Sequence, residues 1–168
     1  AKLTDVLDAA DVAYEVFDQV PPDSSMDVVN EVARLYADRG CDGFVAIGGG
    51  SVIDIAKMCS LHVSSNKTED LFDLSPDAEK PTRIYEVYAI PTTCGTGSEV
   101  TNACAVELSS LHTKRGLNSP LMFPAKSVLI PELISGLPYK FFATSSIDAL
   151  IHATESYLSP KASPVSEL

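Results

Sequence analysis

Asp148 and His152 stand four residues apart within Ser146-Ile147-Asp148-Ala149-Leu150-Ile151-His152-Ala153-Thr154-Glu155, a run with strong helical character. Four residues is one helical turn, so the carboxylate and the imidazole share a face and together can grip one metal ion. Glu155 lies one turn further round. The same residues also admit a plainer reading. Asp148 follows Ser145 by three and fits a helix-start capping arrangement, and His152 fits a hydrogen-bonded core histidine. Two protein ligands rarely hold a divalent ion alone, so a metal here calls for further donors.

Two glycine-rich turns lie upstream. Gly48-Gly49-Gly50-Ser51 sits between an apolar run, Phe44 to Ile47, and a helical pattern. Glycines there let the chain turn sharply and leave no side chain in the way of a ligand, and the amides of the next helix N-terminus favour a pyrophosphate. Neither GxGxxG nor GxxxxGK[ST] spacing is present. Asp54, in the first helical turn, is placed either to complement the helix dipole or to bond a ligand hydroxyl or amide. The plain alternative is a tight strand-to-helix connection. The second turn is Pro91-Thr92-Thr93-Cys94-Gly95-Thr96-Gly97-Ser98-Glu99-Val100-Thr101. Its hydroxyls at 92, 93, 96, 98 and 101 form a polar rim, either for a ligand or to satisfy the loop's own backbone. Cys94 lacks a nearby base to make it a nucleophile. His62 and His112 are isolated, and Lys114 reads from composition as a solvated charge.

These motifs need elements to position them. Ala1 to Asp11 reads as a helix and Ala13 to Phe17 as a short strand. Ser24 or Ser25 caps a second helix carrying Val28, Val29, Val32, Leu35 and Tyr36, which Gly40 ends. Phe44 to Ile47 has the continuous apolar character of a strand buried on both faces of a parallel sheet. A helix from Ser51 to about His62 leads into a polar loop, Ser64 to Lys80, with a helical segment around Leu71 and Phe72. Ile84 to Ile90, Ala103 to Leu108 and Ser127 to Ile130 read as strands, with an irregular stretch from Ser109 to Lys126. From Leu137-Pro138 the pattern is helical, with Ile147, Leu150, Ile151, Thr154 and Leu158 in one stripe, broken by Pro160 and Pro164. Alternating helix and strand around glycine turns is the rhythm of a doubly wound α/β layer, whose ligands collect beyond the carboxyl ends of the strands. The expected division is an α/β domain over residues 1–134 lacking its first strand, then the beginning of a helical domain over 135–168. On this reading the chain is a fragment cut at both ends.

The 168 residues suffice for one core, and 45% hydrophobic content fits a globular protein. Twelve basic against 23 acidic residues, a net charge of −11, argue against nucleic acid or an anionic membrane as partner. No apolar run approaches the ~20 residues of a membrane span, and the N-terminus lacks the basic-then-apolar order expected of a signal peptide. The four cysteines are dispersed without a CxxC pair, as expected of buried thiols in a reducing cytoplasm.

Taken together, Gly48 to Lys57, Pro91 to Thr101 and Asp148 to Glu155, in this order and at these separations, resemble the iron-containing (group III) alcohol dehydrogenase family. The resemblance covers essentially the whole chain. It implies a Rossmann-like dinucleotide-binding α/β domain of the dehydroquinate synthase-like architecture, followed by the start of an all-helical metal-binding domain. It also implies NAD, a divalent metal (Fe2+ or Zn2+), a small alcohol or aldehyde substrate, and a cytoplasmic homodimer. By position, it assigns Gly49, Gly50, Ser51 and Asp54 to the phosphate and nicotinamide side of the cofactor. Thr92, Thr93, Thr96, Ser98 and Thr101 fall on its second loop, Lys114 on the adenosine-ribose side, and Leu133 to Leu137 near the adenine. Asp23 is a weaker candidate. Asp148 and His152 match the first two metal ligands, the others being histidines on later helices. Cys94, His112-Thr113-Lys114, Pro131-Glu132 and Gly136 to Phe142 are most similar to 4-hydroxybutyrate dehydrogenases. The alternatives are a butanol, propanediol or glycerol type of the same family, or a catalytically silent nucleotide-binding module.

Overall fold

In the computed structural model of the chain, residues 3–23, 25–65, 85–108 and 113–166 are described. The elements run α1 (Leu3–Ala9), α2 (Met26–Arg39), β1 (Gly43–Gly48), α3 (Gly50–Ser65), β2 (Glu86–Pro91), β3 (Ala103–Leu108), β4 (Thr113–Asn118), β5 (Lys126–Ser127), α4 (Pro131–Ser135) and α5 (Tyr139–Leu158). A parallel sheet of order β1-β2-β5 sits beside an antiparallel β3-β4 hairpin. The α/β class and the parallel sheet are as expected.

Helix α3 is the centre of the fold. It joins the parallel strands β1 and β2, and Ile53, Ile55, Ala56, Met58, Cys59 and Leu61 are all buried on it. Residues of one face meet Ala46, Val87 and Ala89 of the sheet. The other side packs on Val29 of α2, Cys104 and Val106 of β3, and Met122. A helix apolar around most of its circumference must be covered on more than one side, which is why both a sheet and a hairpin close on it. Each fully buried Ile or Leu contributes roughly 1.5–3 kcal/mol. Helix α2 ends at Gly40 as expected, with φ 65° and its amide turned back to the Ala37 carbonyl.

Several expectations are corrected. Residues 13–17 pair with no strand among the described residues; Glu15, Phe17 and Val20 instead line a cavity of about 150 Å³ with Tyr36 and Phe44. The stretch expected to be irregular holds β4, paired residue for residue with β3 from Ala103–Asn118 to Leu108–Thr113. Ser127 to Ile130 shrinks to Lys126–Ser127. Strand β1 is covered on one face only: Phe44 and Ala46 turn toward α3, whereas Val45 and Ile47 are 51% and 39% exposed. The helical segment around Leu71 and Phe72, and Ile84, lie outside the described residues.

One charge lies in this interior. Lys57, 1% exposed, donates to the Thr101 carbonyl (2.8 Å), the Thr101 hydroxyl (3.2 Å) and the Ala103 carbonyl (3.0 Å), with Asp54 Oδ1 at 4.0 Å. Burial pushes its ammonium below the usual lysine value, with Asp54 opposing. Removing one member of such a cluster strands the others. Lys57→Met should therefore destabilise the protein by about 3–5 kcal/mol, read from urea unfolding. A loss under 1 kcal/mol would show that the three acceptors find other donors.

Candidate functional site

The two glycine turns meet. Thr92 donates its amide to the Gly48 carbonyl at 2.9 Å, in continuation of the β1-β2 ladder. A Cβ placed on Gly50 would sit 2.8 Å from Thr96 Cγ2, and one on Gly49 would sit 3.4 Å from Thr93 Cγ2. Both turns thus follow the carboxyl ends of neighbouring parallel strands and open together, the place where α/β sheets take ligands. Ser51 lies in the first turn of α3; there the Val52 and Ile53 amides return to the Gly49 carbonyl, and those of Gly50 and Ser51 have no acceptor within the helix. For a dinucleotide the donor set fits: small residues, helix-start amides and a hydroxyl rim come together beyond the carboxyl ends of β1 and β2.

The hydroxyls behind this rim differ in role. Thr93 is half-buried against Gly49, Thr96 is exposed and accepts from the Ser98 amide at 3.3 Å, and Ser98 is buried in a short 3-10 turn. Thr101 points inward and takes Lys57. Asp54 reaches across from α3 and accepts from the Ala105 amide at 3.0 Å, which ties the glycine-turn helix to β3. Its Oδ1 is buried without a hydrogen bond. Burial pushes the carboxyl above its usual value, with the Ala105 amide, Lys57, Ser98 and Lys114 pulling it back. That enclosed oxygen faces the Lys57 ammonium at 4.0 Å.

Helix α5 reaches the same loop from the other side. Gly95 has no room for a side chain, since a Cβ would lie 2.1 Å from the Ser145 carbonyl oxygen. Cys94 Sγ stands 3.6 Å from Ser145 Oγ and 3.9 Å from Ser146 Oγ, hydroxyls that are not bases, in keeping with the weak case for a nucleophile. His152 Nδ1 lies 3.2 Å from the Gly95 carbonyl, and its Nε2 is 3.7 Å from Asp148 Oδ1, with both side chains about half-exposed. Donors bound to one ion at ~2.1 Å near the tetrahedral angle lie ~3.4 Å apart, so this bite suits a divalent metal. Among the described residues no third His, Cys, Asp or Glu joins the pair.

Lys114 makes a surface pair with Asp23 at 2.9 Å, which holds the Asp23 carboxyl below its usual value. Asp23 itself has φ 56°, a left-handed backbone that favours glycine, asparagine or aspartate. The structure thus joins two residues that the sequence offered separately. Leu133 stands exposed on α4 and Leu137 half-buried just after it. His112 lies outside the described residues. The sequence reading passed over Lys57, Gly95 and Ser145 as functional positions. The Asp54-x-x-Lys57 spacing inside an apolar helix was the available signal for the first.

The fold agrees with three comparisons. The profile of the family described as iron-containing alcohol dehydrogenase matches residues 1–131. A 4-hydroxybutyrate dehydrogenase of Clostridium kluyveri is 47% identical over 144 residues, covering 86% of this chain and 38% of that protein. An iron-containing alcohol dehydrogenase of Thermotoga maritima superposes with a TM-score of 0.87 at 36% identity, over 98% of this chain and 45% of that one. A sulfoacetaldehyde reductase of Bifidobacterium kashiwanohense, in complex with NAD+, superposes with a TM-score of 0.86 at 29% identity, over 97% and 43%. The chain spans about two fifths of the length of the curated relatives it matches.

Thiol chemistry tests the packing around this site. Cys59 and Cys104 are buried, and burial pushes the Cys104 thiol up to about 12 and that of Cys59 higher still. Cys41 and Cys94 are half-buried. In the native protein at about pH 8, an aromatic disulfide reagent should label Cys41 and Cys94 on the order of 100-fold faster than the other two, read by peptide mass spectrometry. Equal labelling of Cys104 would contradict the packing of β3 on α3.

Proposed function

This chain belongs to the iron-containing alcohol dehydrogenase family, an oxidoreductase family, and from that premise we propose that it carries the NAD(H) crevice and two metal ligands of a metal-dependent dehydrogenase. The substrate pair proposed is 4-hydroxybutyrate and succinate semialdehyde, on the strength of the 47% identity to a protein of that activity. The carrying observation is the loop Pro91–Thr101, which touches the glycine turn at Gly50 and bonds His152 through Gly95. One loop therefore sets the distance between the cofactor side and the metal side.

On this reading Gly49, Gly50 and Ser51 stand on the phosphate and nicotinamide side, with Gly50 letting Thr96 close against the turn and Ser51 at the helix start. Thr92, Thr93, Thr96 and Ser98 belong to the second loop on the cofactor side, and Asp54, assigned to the same side, ties the glycine-turn helix to β3 through the Ala105 amide. Thr101 supports the wall through Lys57. Lys114 and Asp23 stand on the adenosine-ribose side, with Leu133 and Leu137 near the adenine. The bound nicotinamide supplies a hydride acceptor or donor. Asp148 and His152 would hold a ferrous or zinc ion, which when bound supplies a Lewis acid at the substrate oxygen. The oxidised alcohol loses a hydride from carbon and a proton from oxygen, so atoms and charge balance with NAD+ becoming NADH. The division near residue 135, and a cytoplasmic homodimer, complete the proposal; four free cysteines are in keeping with a reducing compartment.

Kinetics and binding test it in parts. In the full-length dehydrogenase of which this chain is read as a part, Asp148→Asn and His152→Ala should abolish metal retention and turnover while NAD(H) affinity stays within about tenfold, or 1.4 kcal/mol. Near-normal turnover in either variant would refute the metal assignment. At Gly49 the protein has room for a methyl group, so Gly49→Ala should fold normally yet weaken NAD(H) binding by at least about tenfold. Unchanged affinity would move the phosphates elsewhere. Across 4-hydroxybutyrate, glycerol, butanol and propanediol, kcat/KM should be highest for 4-hydroxybutyrate; a preference for an uncharged alcohol would replace the substrate and keep the family chemistry.

A further inference from the structure

We propose that Gly95 is a positioning residue of the metal site, whose backbone carbonyl selects the tautomer of His152 and whose missing side chain seats α5; this rests on the metal reading above. The carbonyl oxygen can only accept, so the 3.2 Å contact with His152 Nδ1 places a proton on that nitrogen. At 3.7 Å, Nε2 is beyond hydrogen-bond reach of Asp148 Oδ1. In the neutral ring Nε2 then keeps its lone pair, and two acceptors face each other across a gap that a cation fills. Ligating histidines commonly hold the opposite ring nitrogen on a carbonyl or carboxylate in this way.

The same glycine makes the seat. Any Cβ at position 95 would overlap the Ser145 carbonyl at 2.1 Å and its carbon at 2.8 Å, both rigid backbone atoms. Ser145 lies one turn before Asp148 on α5, so displacement there moves the ligand pair directly. Cys94 and Thr96 fix the loop on either side, the first against Ser145 and Ser146, the second against Gly50. Gly95 thus belongs to the metal's surroundings although it sits in what the sequence presents as a cofactor loop.

Nitrogen-15 NMR of the metal-free protein at about pH 8, where free imidazole is neutral, reads the tautomer; His152→Gln identifies its signal among the three histidines. The unaltered protein should carry the His152 proton on Nδ1. Gly95→Ala should shift that proton toward Nε2 and weaken Zn2+ binding by roughly 10–100-fold, with the circular dichroism of a folded protein. A proton on Nε2 in the unaltered protein overturns the proposal, as does Gly95→Ala with unchanged Zn2+ affinity. If Gly95→Ala fails to fold, the tautomer of the unaltered protein decides alone. His152→Ala separates the two levels. Unchanged Zn2+ binding in that variant removes the metal reading itself. Lost Zn2+ binding with an Nε2 proton in the unaltered protein removes only the role of Gly95.

Discussion

A single buried ammonium holds the architecture of the crevice. Lys57 extends from α3, the helix that begins at the glycine turn, and donates to three acceptors at Thr101 and Ala103, where the second loop becomes β3. Asp54, one turn earlier, bonds the Ala105 amide of the same strand. Both ends of the crevice wall are therefore pinned to one helix by charged, directional contacts in a low-dielectric interior, where such bonds are strong and their loss is costly. Apolar packing alone could hold α3 against β3, but it is non-directional and would let the loop slide. The orphaned oxygen of Asp54 is intelligible in this setting. Its partner oxygen fixes the strand, and the nearby Lys57 keeps a buried carboxyl, raised by desolvation, from standing without a countercharge.

Small residues do the rest of the alignment. The glycine turn touches Thr96, the loop touches Ser145 at Gly95, and the imidazole of His152 hangs from the intervening carbonyl. None of these contacts involves a long side chain, so little rotamer entropy is lost in forming them and little slack remains. That suits the proposed hydride transfer between two separately held partners, where displacement of about 1 Å can cost on the order of 100-fold in rate.

How much of this the sequence disclosed follows from how local each feature is. The glycine turns, the α3 pattern and the Gly40 stop depend on neighbours within a few residues, and they stand where the sequence placed them. The stretch 13–17 alternates like a strand, but a strand exists only by pairing, and among the described residues no partner edge meets it. Strand β4, Thr113-Lys114-Arg115-Gly116-Leu117-Asn118, has a glycine and two charges, a composition poor in strand formers. Its ladder with β3 supplies what propensity lacks. Val45 and Ile47 are apolar, so their exposure is invisible in β1 itself. Asp148 and His152 were legible as a pair from spacing, whereas Gly95 acts on them from 57 residues away and left no mark in any local window.

Helix α5 gives the sharpest form of the argument. It bears the proposed ligands, yet not one of its residues is buried, and Ile147, Leu150, Ile151 and Leu158 are all open. Its place against the second loop is read from its specific contacts. For α5 those are made to residues 94 and 95: a thiol between two hydroxyls, a glycine against a carbonyl, and an imidazole on a backbone oxygen. A backbone oxygen is well chosen for the last of these. It has no rotamers of its own, it accepts without donating, and it belongs to the loop that Lys57 pins to α3. The orientation of the histidine therefore inherits the rigidity of the core through a chain of short contacts, although the histidine itself stands half in solvent.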